Sequence, residues 1–92
     1  MQSYFFHLNY VRDYVTDRDG SLFADLEAAK AEARQIIREL AADVLKSHRK
    51  FTLNSIRICS DDGSLVASIH VPEALTEVLR PTSLSLDGRS RV

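Results

Sequence analysis

Ser55-Ile56-Arg57-Ile58-Cys59-Ser60-Asp61-Asp62-Gly63-Ser64-Leu65-Val66-Ala67-Ser68-Ile69-His70-Val71 is the stretch that decides the fold. Two runs rich in Ile and Val flank an Asp-Gly dipeptide, a strong hairpin signal because a two-residue type I′ turn needs positive φ at both central residues. With Asp62-Gly63 at the tip, Ser60 pairs with Leu65, Cys59 with Val66, Ile58 with Ala67, Arg57 with Ser68 and Ile56 with Ile69. Side chains alternate between faces, so Ile56, Ile58, Leu65, Ala67 and Ile69 fall together on one side. A one-residue slip would scatter that apolar set over both faces, so the pattern specifies its own register.

Working outward, Ser3-Tyr4-Phe5-Phe6-His7-Leu8-Asn9 is dense in aromatic residues and reads as a strand. Tyr4, Phe6 and Leu8 share one face, and Phe5, His7 and Asn9 the other. Apolar bulk on both sides predicts a central position in the sheet, or a second face that meets a partner. A weaker strand is expected over 13–17, joined to the first through Tyr10-Val11-Arg12 as a hairpin. Asp17-Arg18-Asp19-Gly20 is expected to turn the chain directly into a helix, with Gly20 free to adopt positive φ.

Asp25 is the natural N-cap of that helix, and Glu27 suits the positive end of its dipole. Leu26, Ala29, Ala33, Ile36, Ile37, Leu40 and Val44 recur at three- and four-residue spacing, which predicts about twenty helical residues fading over 46–50. A short helix is expected over 72–79, with Pro72 in its first turn and Leu75, Val78 and Leu79 docking it. The expected fold is α+β: a two-layer β-β-α-β-β domain over 1–80, with one long amphipathic helix on an antiparallel or mixed four-stranded sheet, plus the short C-terminal helix. Residues 81–92, rich in Ser and Arg, are expected to be a mobile tail.

Tyr4-Phe5-Phe6-His7-Leu8, the Asp17-to-Gly20 turn, Asp25-Leu26-Glu27-Ala28-Ala29 and the Asp62-Gly63 hairpin together resemble a family of small bacterial proteins carrying a domain of unknown function. The resemblance runs over about residues 3 to 75. Tyr10-Val11-Arg12-Asp13 departs from it, since a more Gly-rich or acidic turn is expected there. The resemblance implies a compact cytoplasmic bacterial protein and carries no catalytic residue to transfer.

Composition narrows the function classes. The chain has 92 residues, 45% of them hydrophobic and 27% charged, which is the balance of one globular domain. A net charge of -1 gives no overall attraction to nucleic acid or anionic membrane, so such binding would need a local patch. The single cysteine, Cys59, cannot close an internal disulfide, and the default setting is a reducing, cytoplasmic one. Nothing approaches the roughly 18 apolar residues of a membrane span, and no basic segment with an apolar run of signal-peptide length opens the chain.

Three candidate sites follow. The first is the sheet face turned away from the helix, carrying Phe5, His7, Arg57, Cys59, Val66 and His70 with Ser68; a partly apolar, uncovered face suits another copy of the chain, a dimer in the simplest case, or an unidentified protein partner. The second is a basic line, Lys30, Arg34 and Arg38 at i, i+4, i+8, continued by Lys46, Arg49 and Lys50, which would track nucleic-acid phosphates. Glu27, Glu32, Glu39 and Asp43 share its arc, and a solvated helix face is the better reading. The third is a small-ligand or metal site around His7, Cys59 and His70, which lacks the usual metal-ligand spacing. Neither a metal nor a cofactor is expected. No Gly-x-Ser-x-Gly, phosphate-cradling loop or nucleophile-base set occurs, so the chain is expected to be no enzyme but an interaction or regulatory module.

Overall fold

The aromatic run forms β1 (Gln2–Tyr10), and it lies inside a five-stranded antiparallel sheet. The structure, a computed structural model, describes residues 1–78. Along one side of β1 runs β4 (Leu53–Ser60), with Phe6 opposite Ile58 and Leu8 opposite Ile56. Along the other side lie two short strands end to end: β2 (Tyr14–Val15) against Leu8 and Asn9, and β3 (Ser21–Phe23) against Gln2, Ser3 and Tyr4. Strand β5 (Leu65–His70) pairs with β4 and closes the order β2-β1-β4-β5.

β3 is an addition to the expected strand set. The 17–20 turn leads first into this strand and only then into the helix. Three residues are too few for an alternation pattern to show, and their placement rests on a tertiary contact: Phe23 packs its ring 5.6 Å from Phe6 and 6.3 Å from Tyr4.

Helix α1 (Leu26–Ser47) starts where Asp25 accepts the Ala28 amide at 2.8 Å. Its fully buried residues, Ala29, Ala33 and Ile37, recur every four positions and face the sheet. The two alanines share one buried cluster with Tyr4, and Phe6 and Phe23 pack against it, so small side chains on the helix and large ones on the strands fill the core together. The helix ends without glycine: His48 takes the left-handed conformation at φ 57.

Helix α2 (Val71–Val78) begins directly after the last residue of β5, and Glu73 reaches back to accept the His70 amide at 2.8 Å. Val71 and Ala74 are buried and Leu75 packs against the core, so both helices cover the same side of the sheet as Ile56, Ile58 and Ile69. The Val78 side chain, Leu79 and the 81–92 stretch lie outside what is described.

The hairpin holds the expected register from Ile56↔Ile69 to Ile58↔Ala67 and then departs from it. Cys59 opposes Leu65, Val66 is an extra residue in a β-bulge, and the Ser60–Leu65 and Cys59–Val66 pairs do not form. The cause is the turn. Gly63 donates to the Ser60 carbonyl at 3.0 Å and Ser60 donates to the Ser64 carbonyl at 2.9 Å, enclosing the three-residue loop 61–63. Only Gly63 has positive φ, at 87; Asp62 does not, so the type I′ expectation gives way to a longer loop, which the bulge accommodates. Leu65 therefore shares a face with Cys59 rather than with Ile56 and Ile58.

Candidate interaction surface

Between β2 and β3 the outer side of β1 has no strand beside Phe6 and His7, and the 17–20 turn fills that interval. Asp17 accepts the Phe6 amide at 3.0 Å through one carboxylate oxygen and the Asp19 and Gly20 amides at 3.1 Å through the other. Its own amide donates to His7 Nδ1 at 3.0 Å. A side-chain carboxylate thus stands where a neighbouring strand's carbonyl would be. Burial raises the Asp17 pKa, but the three backbone donors outweigh it and hold the carboxyl below its ordinary value.

With Nδ1 accepting, the proton of a neutral His7 imidazole sits on Nε2. The His7 ring packs 5.9 Å from Tyr14. Gly20, at φ 71, lies against the Phe5 ring, and a Cβ built there would come within 2.8 Å of Phe5 Cε2. Residues 5, 6 and 7 are therefore all tied to one turn.

The sheet face opposite the helices is built in rows set by the register. Phe5, Cys59 and Leu65 form one row, His7, Arg57 and Ser68 the next, and Asn9, Ser55 and His70 the third. The apolar end is the hairpin end, where Leu65 is 49% and Val66 40% exposed beside the buried Cys59. Phe5, His7, Cys59, Ser60, Asp61 and Gly63 line a shallow concavity there of about 230 Å³. The polar end is satisfied internally, with Asn9 Nδ2 donating to the buried Ser55 Oγ at 3.3 Å.

All six residues expected on this face are on the open side, but the two histidines are not together. His7 and His70 are two strands and one row apart, about 12 Å at ordinary sheet spacings. Among the described residues, no group of three His, Cys, Asp or Glu is placed to hold a metal ion. Leu65 belongs to the patch and the sequence pattern put it in the core; only the loop length could have revealed this. Tyr14 and Leu22, opposite Asn9 and Ser3, extend the face and are 50% and 63% exposed.

The basic line stands elsewhere, on the helix and just past its end, and three of its charges are engaged locally. Lys30 pairs with Glu27 at 3.2 Å, Arg38 donates to Gln35 at 3.1 Å, and Arg49 pairs with Asp43 at 3.1 Å. Lys46 and Lys50 are exposed beside Arg49, and Arg34 is half-buried. Among the described residues no helix is long and apolar enough to cross a membrane.

An antiparallel sheet with one long and one short helix on a single face, and an aromatic strand pinned by an aspartate turn, defines a small two-layer α+β domain. The model of the family described as a domain of unknown function (DUF6894) matches residues 3–72, and the chain belongs to that family. Comparison with curated proteins and with solved structures yields no match.

Proposed function

We propose that this chain is a non-enzymatic protein-interaction module that works as a homo-oligomer, a dimer in the simplest case, with the open sheet face as its interface. The observation that carries this reading is the patch of Phe5, Cys59, Leu65 and Val66: both helices lie on the other side of the sheet, and the bulge at Val66 adds Leu65 to this one. An uncovered apolar patch with a polar rim is the usual form of a protein-protein contact surface.

Two further features support a second copy as the occupant. Arg57 and Asp61 lie on either side of Cys59 along the chain, and among the described residues Arg57 makes no ion pair. A two-fold axis in the interface, crossing the strands at Cys59, brings Arg57 of each copy toward Asp61 of the other. Size fits as well. The face spans three strand intervals and the nine residues of β1, about 20 Å by 30 Å, or roughly 600 Å² a side. That is at the low end of specific interfaces.

Edge-to-edge pairing is the weaker route to association. The free edge of β5 is interrupted by the bulge at Val66, and Glu73 occupies the His70 amide at its other end. The unpaired Cys59 fits a reducing, cytoplasmic setting.

Light scattering coupled to size exclusion, at tens to hundreds of micromolar, tests the reading. The wild-type chain should run as a dimer, Arg57→Glu and Asp61→Lys should each shift it toward monomer, and the double variant should restore the dimer. A monomer throughout overturns the proposal, as does a dimer indifferent to both charge reversals and to Val66→Glu.

A further inference from the structure

The hydrogen bond from the Asp17 amide to His7 Nδ1 requires a particular protonation state, and this gives the fold a titratable fastening. At 3.0 Å the nitrogen must present a lone pair, which only the neutral imidazole with its proton on Nε2 offers. A protonated ring is a donor at both nitrogens, so it sets an N–H against the Asp17 N–H.

We propose that His7 is a pH-operated latch that fastens the 17–20 turn to β1 when neutral and releases it when protonated. The turn joins β2 to β3, and both short strands pair with β1 alone. Their attachment therefore includes this contact beside their own pairing with β1 and the Asp17 carboxylate's bond to the Phe6 amide.

The charged and titratable groups around the ring set the response. From β2, the Tyr14 ring packs against it at a tilt; from β4, Arg57 lies directly opposite and Cys59 diagonally so; from the hairpin loop, Asp61 lines the same concavity. From the turn comes Asp17, whose carboxylate is committed to the amides of Phe6, Asp19 and Gly20. A newly protonated Nδ1 needs an acceptor, and the carboxylate of the same Asp17 is the anionic one that the turn offers. Taking it would withdraw the oxygen that closes the Phe6 amide, so protonation disturbs the turn whether the ring is repelled by the Asp17 amide or captures its carboxylate. Arg57 opposes the added charge and Asp17 favours it, so the latch works through hydrogen-bond polarity and not through net charge.

The latch belongs to the single chain and does not depend on self-association. Its test is an NMR titration of the full chain. Long-range nitrogen-proton correlations should show His7 with its proton on Nε2 at the alkaline end. As the His7 ring titrates, the Asp17, Phe6 and Gly20 amides should lose about three- to tenfold in exchange protection after correction for intrinsic pH dependence, while Ile56 and Ile69 keep theirs. His7→Phe should leave the Asp17 amide unprotected at every pH, without a step. A neutral ring carrying its proton on Nδ1, or Asp17 protection unchanged across the His7 titration, overturns the proposal. The wild-type titration decides this alone should His7→Phe fail to fold.

Discussion

Gly20 is the position where one added methyl group does harm twice. The residue sits at φ 71, and its Cβ would meet the Phe5 ring at 2.8 Å. Gly63 shares the positive φ, at 87, but has nothing within 4 Å. Gly20→Ala should therefore cost about 2–4 kcal/mol, the sum of left-handed strain and overpacking, against about 1 kcal/mol for Gly63→Ala. Urea unfolding of the two variants measures the difference, and equal losses would mean that the Phe5 ring yields freely. Asp62 gives a second test at this scale. Its carboxylate accepts from the Ser60 hydroxyl and, at 2.9 Å, from the Ser64 amide, which lower its pKa from 3.8 to about 2. A depressed folded-state value means that the charged form supports the fold, so this support is complete above about pH 4 and is lost as pH falls toward about 2. A carbon-detected titration of Asp62 should show the low value, and Asp62→Ala should remove its share of the acid sensitivity of the hairpin. Both glycines could be read from the sequence as turn residues. That Gly20 also makes room for Phe5 could not, because the contact joins residues fifteen positions apart.

Elements were legible where the sequence carried a pattern or a neighbouring turn signal. The 22-residue α1 announced its N-cap, its face and its buried alanines through periodicity, whereas the three residues of β3 carried no pattern of their own. The hairpin lay between these cases. Its register was fixed where Ile56, Ile58, Ala67 and Ile69 supplied alternating bulk, and it shifted by one residue at Cys59, where only the choice between a two- and a three-residue loop mattered. The consequence was to move Leu65 from the core to the open face, which is the main way in which the observed surface exceeds the expected one. The C-terminal end of α1 offers a direct check on element energetics. His48 carries a side chain at φ 57, where glycine is unstrained. His48→Gly should raise stability by about 0.5–1 kcal/mol, read as a higher urea midpoint, and a loss would reveal a tertiary role for the imidazole.

At the scale of the whole molecule, the two layers leave one surface unaccounted for. Among the described residues the largest fully buried side chains, Ile37, Ile56 and Ile58, lie between the helices and the sheet, and the reverse of the sheet carries Phe5, Cys59, Leu65 and Val66 with Arg57 and Asp61 around them. Phe5, Arg57, Cys59 and Val66 were visible in the sequence as the other half of the alternation; Leu65 and the arrangement into an apolar end and a polar end were not, because they depend on the loop length and on which strands are neighbours. Of the basic residues on and beyond the helix, Lys30 pairs with Glu27 at the expected helical spacing, whereas Arg38 bonds Gln35 and Arg49 reaches back six positions to Asp43. Amide shift mapping by NMR, from a few micromolar to several hundred micromolar protein, tests the central claim most directly. Self-association through the open face should move the amides of Phe5, Arg57, Cys59, Leu65 and Val66 with concentration and leave those of Lys30, Arg34 and Arg38 in place. Spectra that do not change with concentration, or changes centred on the helix, would contradict it.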